Sequence, residues 1–254
     1  MNLRTEVDRL MDLNQALKAW DLVKDIDDPL KERVRLKVRH AFDPEEYRKF
    51  YQDNSEERPI RDEFVYDCTK IGEPRLKWVV DNILQKKQSP VVDLGCADGF
   101  VSLTLARYGI ECTGVNLYKP SVDLANKRAW ENNLPAKFIC QDLFEHEGSY
   151  QAVILMEVLE HIPNPGVAIK KAYELCEVGG SVYLSTPRTD HVGIEEHLKE
   201  EGRTGWDDGK PSGHLQLFAE EELKQLLGGY YVEQFIVDAT RNMCVEIIKD
   251  DHRF

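Results

Sequence analysis

The chain has 254 residues, long enough to bury a sizeable core as one main domain with an accessory segment. Its 42% apolar and 31% charged residues are those of a globular protein, and no apolar run approaches the roughly 18 residues of a membrane span. A formal charge of −13 argues against broad phosphate neutralisation of a nucleic acid, and six cysteines without a C-x-x-C pair suggest neither a zinc ribbon nor a disulfide framework. The opening "MNLRTEVDRLMDLNQ" lacks the basic region and continuous apolar run of a secretory signal, so the expected location is cytoplasmic.

In the first 26 residues, Leu3, Val7, Leu10, Met11, Leu17 and Trp20 fall near helical spacing, which predicts an amphipathic helix packed on the body or forming a homodimer contact. The charged stretch that follows, with its basic run "KERVRLKVRH", reads as connecting helices and loops, so residues 1–72 form an N-terminal helical extension. From residue 73 the pattern changes. "PRLKWVVDNILQKKQ" has helical periodicity, and "PVVDLGCADG" is an apolar run that breaks into glycine, as a buried strand does before a tight turn. Helix and strand then alternate through "VSLTLARYG", "IECTGVNL", "PSVDLANKRAWENN", "AKFICQDL", "YQAVILM", "NPGVAIKKAYELCE" and "GGSVYLSTP". That alternation predicts an α/β fold over residues 73–254: a Rossmann-like, mostly parallel seven-stranded sheet with helices on both faces. "YYVEQFIVD" and "NMCVEIIKD" have no helix between them, which predicts a C-terminal antiparallel hairpin.

Ligands of such sheets bind outside the carboxyl ends of the strands. The first of those ends carries Asp93, Gly95 and Gly99, which bracket a turn where the backbone can approach a ligand closely. Ala97 occupies the place of the second glycine in G-x-G-x-x-G, so a dinucleotide pyrophosphate seat is disfavoured.

"VVDLGCADG", "GVNL", "QDL", "MEVLEHIPNP" and "GGSVYLSTP", in this order, resemble the motifs of class I S-adenosylmethionine-dependent methyltransferases, closest to the ubiquinone-biosynthesis type of O-methyltransferase. The resemblance covers roughly residues 73–229. It implies that Asp93 and the turn through Leu94, Gly95, Cys96, Ala97 and Gly99 hold the methionine part of the cofactor. Asp142 would accept from the adenine amino group, with Leu143 against the ring and Met156 beside the adenosine or the sulfonium. Asn116, followed by Leu117, stands where the family usually has a carboxylate gripping the ribose, which implies weaker cofactor binding. Arg75, in "GEPRLKWV", would reach the cofactor carboxylate; a surface arginine at a helix start is the plainer reading.

Glu157, Glu160 and His161 would share one face if residues 157–161 form a helical turn. With His214, from "SGHLQLF", they make a candidate set of two carboxylates and two imidazoles suited to Mg²⁺, Mn²⁺, Fe²⁺ or Zn²⁺. E-x-x-E-H with a later histidine resembles metal-binding relatives in the ubiquinone branch and the small-RNA 2′-O-methyltransferases of the HEN family. Three readings stay open: a divalent metal, His161 as a general base with Glu157 and His214 nearby, or glutamates that merely cap a turn. Residues 188–214 read as an acceptor lid, with His191, His197 and Trp206 as contacts, or as a surface loop. The reading is methylation of a hydroxyl on a polar small molecule such as a sugar or hydroxylated metabolite. The alternatives are RNA 2′-O-methylation and a cofactor-binding module without turnover.

Overall fold

The computed structural model describes residues 2–12, 16–38, 73–188, 216–237 and 242–251. The chain opens with α1 (Leu3–Asp12), α2 (Ala16–Val23) and α3 (Pro29–Val38). After α4 (Pro74–Lys86) come β1 (Val91–Leu94), α5 (Phe100–Arg107), β2 (Cys112–Asn116), α6 (Lys119–Glu131), β3 (Ala136–Cys140) and β4 (Tyr150–Met156). Then follow α7 (Pro165–Leu175), β5 (Cys176–Pro187), α8 (Glu220–Leu226), β6 (Tyr231–Val237) and β7 (Asn242–Ile248).

The strands form one seven-stranded sheet in the order β3-β2-β1-β4-β5-β7-β6. The first five run parallel, and β7 pairs antiparallel with both β5 and β6. This is the expected Rossmann-like sheet with its terminal hairpin. Within the hairpin, whose order the sequence leaves open, β7 fills an inner slot and β6 lies on the edge. Burial explains the placement, since Asn242 to Ile247 are all buried whereas β6 carries exposed residues at intervals.

Strand periodicity builds the two faces. Along β4, Val153 and Leu155 join the core beneath α7 and α8, while Ala152 and Ile154 join the opposite core with Val79, Val80 and Ile83 of α4. Pro74 and Pro165 stand in the first turns of α4 and α7, where a missing N–H costs no helical bond.

The N-terminal pattern resolves into two helices where one was expected, joined by a third. Val7, Leu10, Ala19, Val23 and Val34 form their own cluster, so the apolar face of α1 is buried against α2 and α3 of the same chain. A Lys18–Glu222 ion pair ties α2 to α8. No helix among the described residues is long and apolar enough to cross a membrane.

Candidate active site

The turn after β1 is wound by three left-handed residues, Gly95 (φ 82°), Ala97 (φ 48°) and Gly99 (φ 80°). The amides of Gly95 and Cys96 both donate to the Val115 carbonyl, at 2.8 and 3.1 Å, which stitches the turn to β2. A side chain at Gly95 would meet Val158 at 2.6 Å, so glycine is required there by close approach as well as by conformation.

Beside this turn opens a cleft enclosing about 770 Å³, its mouth included, at the carboxyl edge of the parallel strands. Gly95 and Ala97 form one wall, and Asn116, Leu117, Tyr118 and Ser121 a second. Gln141, Asp142, Leu143 and Phe144 make a third, and Glu157, Val158, His161 and Ile162 close the remaining side. Eight of the expected residues, Gly95, Ala97, Asn116, Leu117, Asp142, Leu143, Glu157 and His161, therefore meet at one cavity.

Others of the expected set lie outside its lining. Asp93 is buried beneath the turn and accepts a hydrogen bond from Ser102 Oγ at 2.7 Å; burial pushes its carboxyl up to about 6. Leu94 is wholly buried in the core, and Cys96 and Gly99 pack toward the α6 and β3 side with Phe138. Met156 packs with the α4 face of the sheet. Arg75 Nη2 lies 2.8 Å from Glu73 Oε2, and its Nε lies 3.7 Å from Glu157 Oε1.

The acidic stretch departs from the expected helical turn. Glu157 is left-handed (φ 55°) and only Leu159–His161 form a short 3₁₀ turn, so Glu157, Glu160 and His161 do not share one helical face. Glu157 accepts from Ser185 Oγ at 2.6 Å, and its own amide donates to the Ser185 carbonyl at 3.0 Å. Glu160 is wholly buried and accepts from Thr186 Oγ1 at 3.1 Å. Its other oxygen has no hydrogen-bond partner and lies 3.9 Å from His161 Nε2. Burial, then repulsion from Glu157, hold the Glu160 carboxyl well above the usual carboxylate range. Capping falls to another residue: Asn164 accepts from the Val167 amide at the start of α7.

Among the described residues no three histidine, cysteine, aspartate or glutamate side chains gather into a metal-holding group. His214, His191, His197 and Trp206 lie outside the described residues. Sequence reasoning missed Tyr118, Ser121, Gln141, Phe144, Val158 and Ile162 as cavity walls. Each stands within a few residues of an expected strand end, and that adjacency was the available signal. Ser185 and Thr186 sat in the "STP" of the fifth motif, but nothing in the sequence joins them to residues 157 and 160.

Residues 68–230 match the profile of the methyltransferase domain family. A ubiquinone biosynthesis O-methyltransferase of Proteus mirabilis (strain HI4320) is 33% identical over 125 residues, covering 46% of this chain and 49% of that protein. One from Escherichia coli O157:H7 is 29% identical over 153 residues, 59% and 63% of the two chains. The chain thus spans about half the length of the first of these curated relatives. The fold is similar to that of magnesium protoporphyrin IX methyltransferase from Synechocystis PCC 6803, crystallised with bound SAH. Its TM-score is 0.60 at 20% identity, covering 86% of this chain and 100% of that one. With the glycine turn, the strand-end residues and the sheet order in place, the chain belongs to the methyltransferase domain family, as a class I S-adenosylmethionine-dependent methyltransferase.

Proposed function

We propose that this chain transfers the methyl group of S-adenosylmethionine to a hydroxyl oxygen of a polar small molecule, in the cytoplasm. The observation that carries the reading is the continuity of one cavity. The glycine turn, Asn116 and Asp142 lie on the same lining as Glu157 and His161. A sulfonium is already a strong methyl donor, so the protein has to align the acceptor lone pair with the S–CH₃ bond and keep water out. Its remaining task is to take the acceptor proton, a role we assign to His161, 9% exposed on the cavity wall. The curated relatives, O-methyltransferases of ubiquinone biosynthesis, support oxygen as the methylated atom.

The finer part of the proposal is a divalent cation on Glu157, Glu160, His161 and His214. It is supported by the buried Glu160 oxygen that lacks a hydrogen-bond partner beside His161. A cation there would lower the pKa of an acceptor hydroxyl. The residues of the chain would orient it: Ser185 and Thr186 each hold one glutamate.

Thermal shift with S-adenosylhomocysteine tests the cofactor site; no stabilisation at millimolar ligand defeats the enzyme reading. Labelled-methyl transfer into fractionated cell extract, with mass spectrometry of what becomes labelled, identifies the acceptor. Titration with Mn²⁺, with and without chelator, tests the cation. Glu157→Ala and His161→Ala proteins that respond like the parent would overturn that assignment.

A further inference from the structure

Behind the wall that carries Asp142 lies a buried imidazole with no part in the proposed transfer. Gln141 leaves β3 with its amide N–H on the Asn116 carbonyl at 3.0 Å, so the ends of β2 and β3 are joined at the cavity. Its side-chain Nε2 donates to the Glu145 carbonyl at 3.2 Å and closes the short turn over Leu143–Glu145. The remaining Gln141 oxygen faces His146 Nδ1 at 3.2 Å. An amide oxygen only accepts, which assigns the proton to Nδ1 and leaves Nε2 to accept from the Tyr150 hydroxyl at 2.9 Å. His146 and Tyr150 are 5% and 8% exposed, and their rings stack with centroids 5.9 Å apart. The connecting loop lies so close to the Tyr150 ring that a side chain at Gly148 would meet it at 2.6 Å.

A continuous chain therefore runs from β4 through Tyr150, His146 and Gln141 to the cavity. On the same turn, Asp142 accepts from the Phe144 amide at 3.0 Å, so Gln141, Asp142, Leu143 and Phe144 form one hydrogen-bonded wall of the cavity. We infer that His146, oriented by Tyr150, is a positioning residue for cofactor binding: it fixes the Gln141 amide and with it the wall that meets the adenosine end. The inference rests on reading this cavity as the S-adenosylmethionine site.

The surroundings keep the imidazole in the form this role needs. Burial, Lys171 of α7 and Lys137 of β3 all disfavour the imidazolium, and Glu145 and Glu147 on its own loop are exposed. The neutral tautomer, with Nδ1 donating to Gln141, is the form present at neutral pH.

The test measures binding of S-adenosylhomocysteine and of adenosine to the parent and to His146→Leu, His146→Asn, Tyr150→Phe and Gln141→Leu proteins by calorimetry. His146→Leu is expected to weaken both ligands about tenfold, and equally, because the wall acts on the part they share. His146→Asn keeps a donor near the Nδ1 position and should return affinity to within about threefold of the parent. Gln141→Leu combined with His146→Leu should be no worse than either change alone. A His146→Leu protein that binds both ligands within twofold of the parent overturns the role. So does one that loses S-adenosylhomocysteine but keeps adenosine. If that variant does not fold, Tyr150→Phe, which removes one oxygen, decides: parent-like affinity for both ligands overturns the inference. A parent that binds neither ligand defeats the cofactor reading, and the inference with it.

Discussion

Ala97 and Glu157 hold backbone angles that ordinary residues rarely adopt, and the two differ in what maintains them. Ala97 lies in the cofactor turn, where the flanking glycines impose the curve. Ala97→Gly should relieve the left-handed strain and gain a net of roughly 0.5 kcal/mol in urea melts, after the unfolded-state entropy of glycine is subtracted. Glu157 is held from β5. Its amide donates to both the carbonyl and the hydroxyl of Ser185, and its carboxylate accepts from that hydroxyl. Ser185→Ala should lower stability by about 1–3 kcal/mol in the same melts, since it removes the hydroxyl that donates to the part-buried Glu157 carboxylate. Asp93 gives a pH-dependent case. Its carboxyl is raised from 3.8 to about 6, so between those values the folded protein keeps a proton that the unfolded chain has released. Stability from this group therefore falls as pH rises through that window, and the penalty is complete above it. Asp93→Asn should be more stable than the parent at pH 7, by on the order of 3 kcal/mol, with the two converging below pH 4. The glycine turn was legible in the sequence because steric need is local. The orientation of Glu157 was not, because its partner lies 28 residues away on another strand.

At the scale of elements, the alternation of strand and helix carried the parallel half of the sheet, since each βαβ unit declares itself through a change of hydrophobic period. The terminal hairpin was also legible, but which of its strands lies inside was not. Glu246 is the reason: a charged residue in "NMCVEIIKD" suggests an exposed strand, whereas it is wholly buried. Lys86 of α4 pairs with it, and Gln234 of β6 donates to its other oxygen at 3.1 Å. These partners come from either side of the chain's middle and leave no mark in the local sequence. Lys86→Met should cost about 2 kcal/mol by leaving that carboxylate without its cation, somewhat less than for a pair buried at both ends because Lys86 is 34% exposed. Adding Glu246→Gln should recover part of the loss, both variants being compared in urea melts. Gly114 offers a steric counterpart. A side chain there would stand 2.3 Å from the buried Phe138 ring, so Gly114→Ala should cost about 1–3 kcal/mol and loosen β2 against β3.

For the whole molecule, the helical character of the N-terminal segment was legible from its periodicity, but its partner was not: amphipathic spacing says that a face is covered, never by what. The cover turns out to be internal to a three-helix cluster, tied to α8 by a surface ion pair. Lys18→Ala should change stability by less than about 1 kcal/mol, because both side chains of that pair are more than a third exposed. The order of the sheet has a different consequence, which concerns synthesis. All cavity-lining residues fall between Gly95 and Ile162, whereas the strand that completes the inner sheet beside β5 begins at Asn242. A ribosome making this chain from its N-terminus thus releases the whole ligand-facing wall long before the strand that seals the sheet. Throughout that interval β5 presents an unpaired edge, the kind of surface on which nascent chains stick to one another. Premature termination after Val237 would leave that edge permanently bare, so fragments of this protein should be cleared by chaperones and proteases although they carry every residue of the cavity.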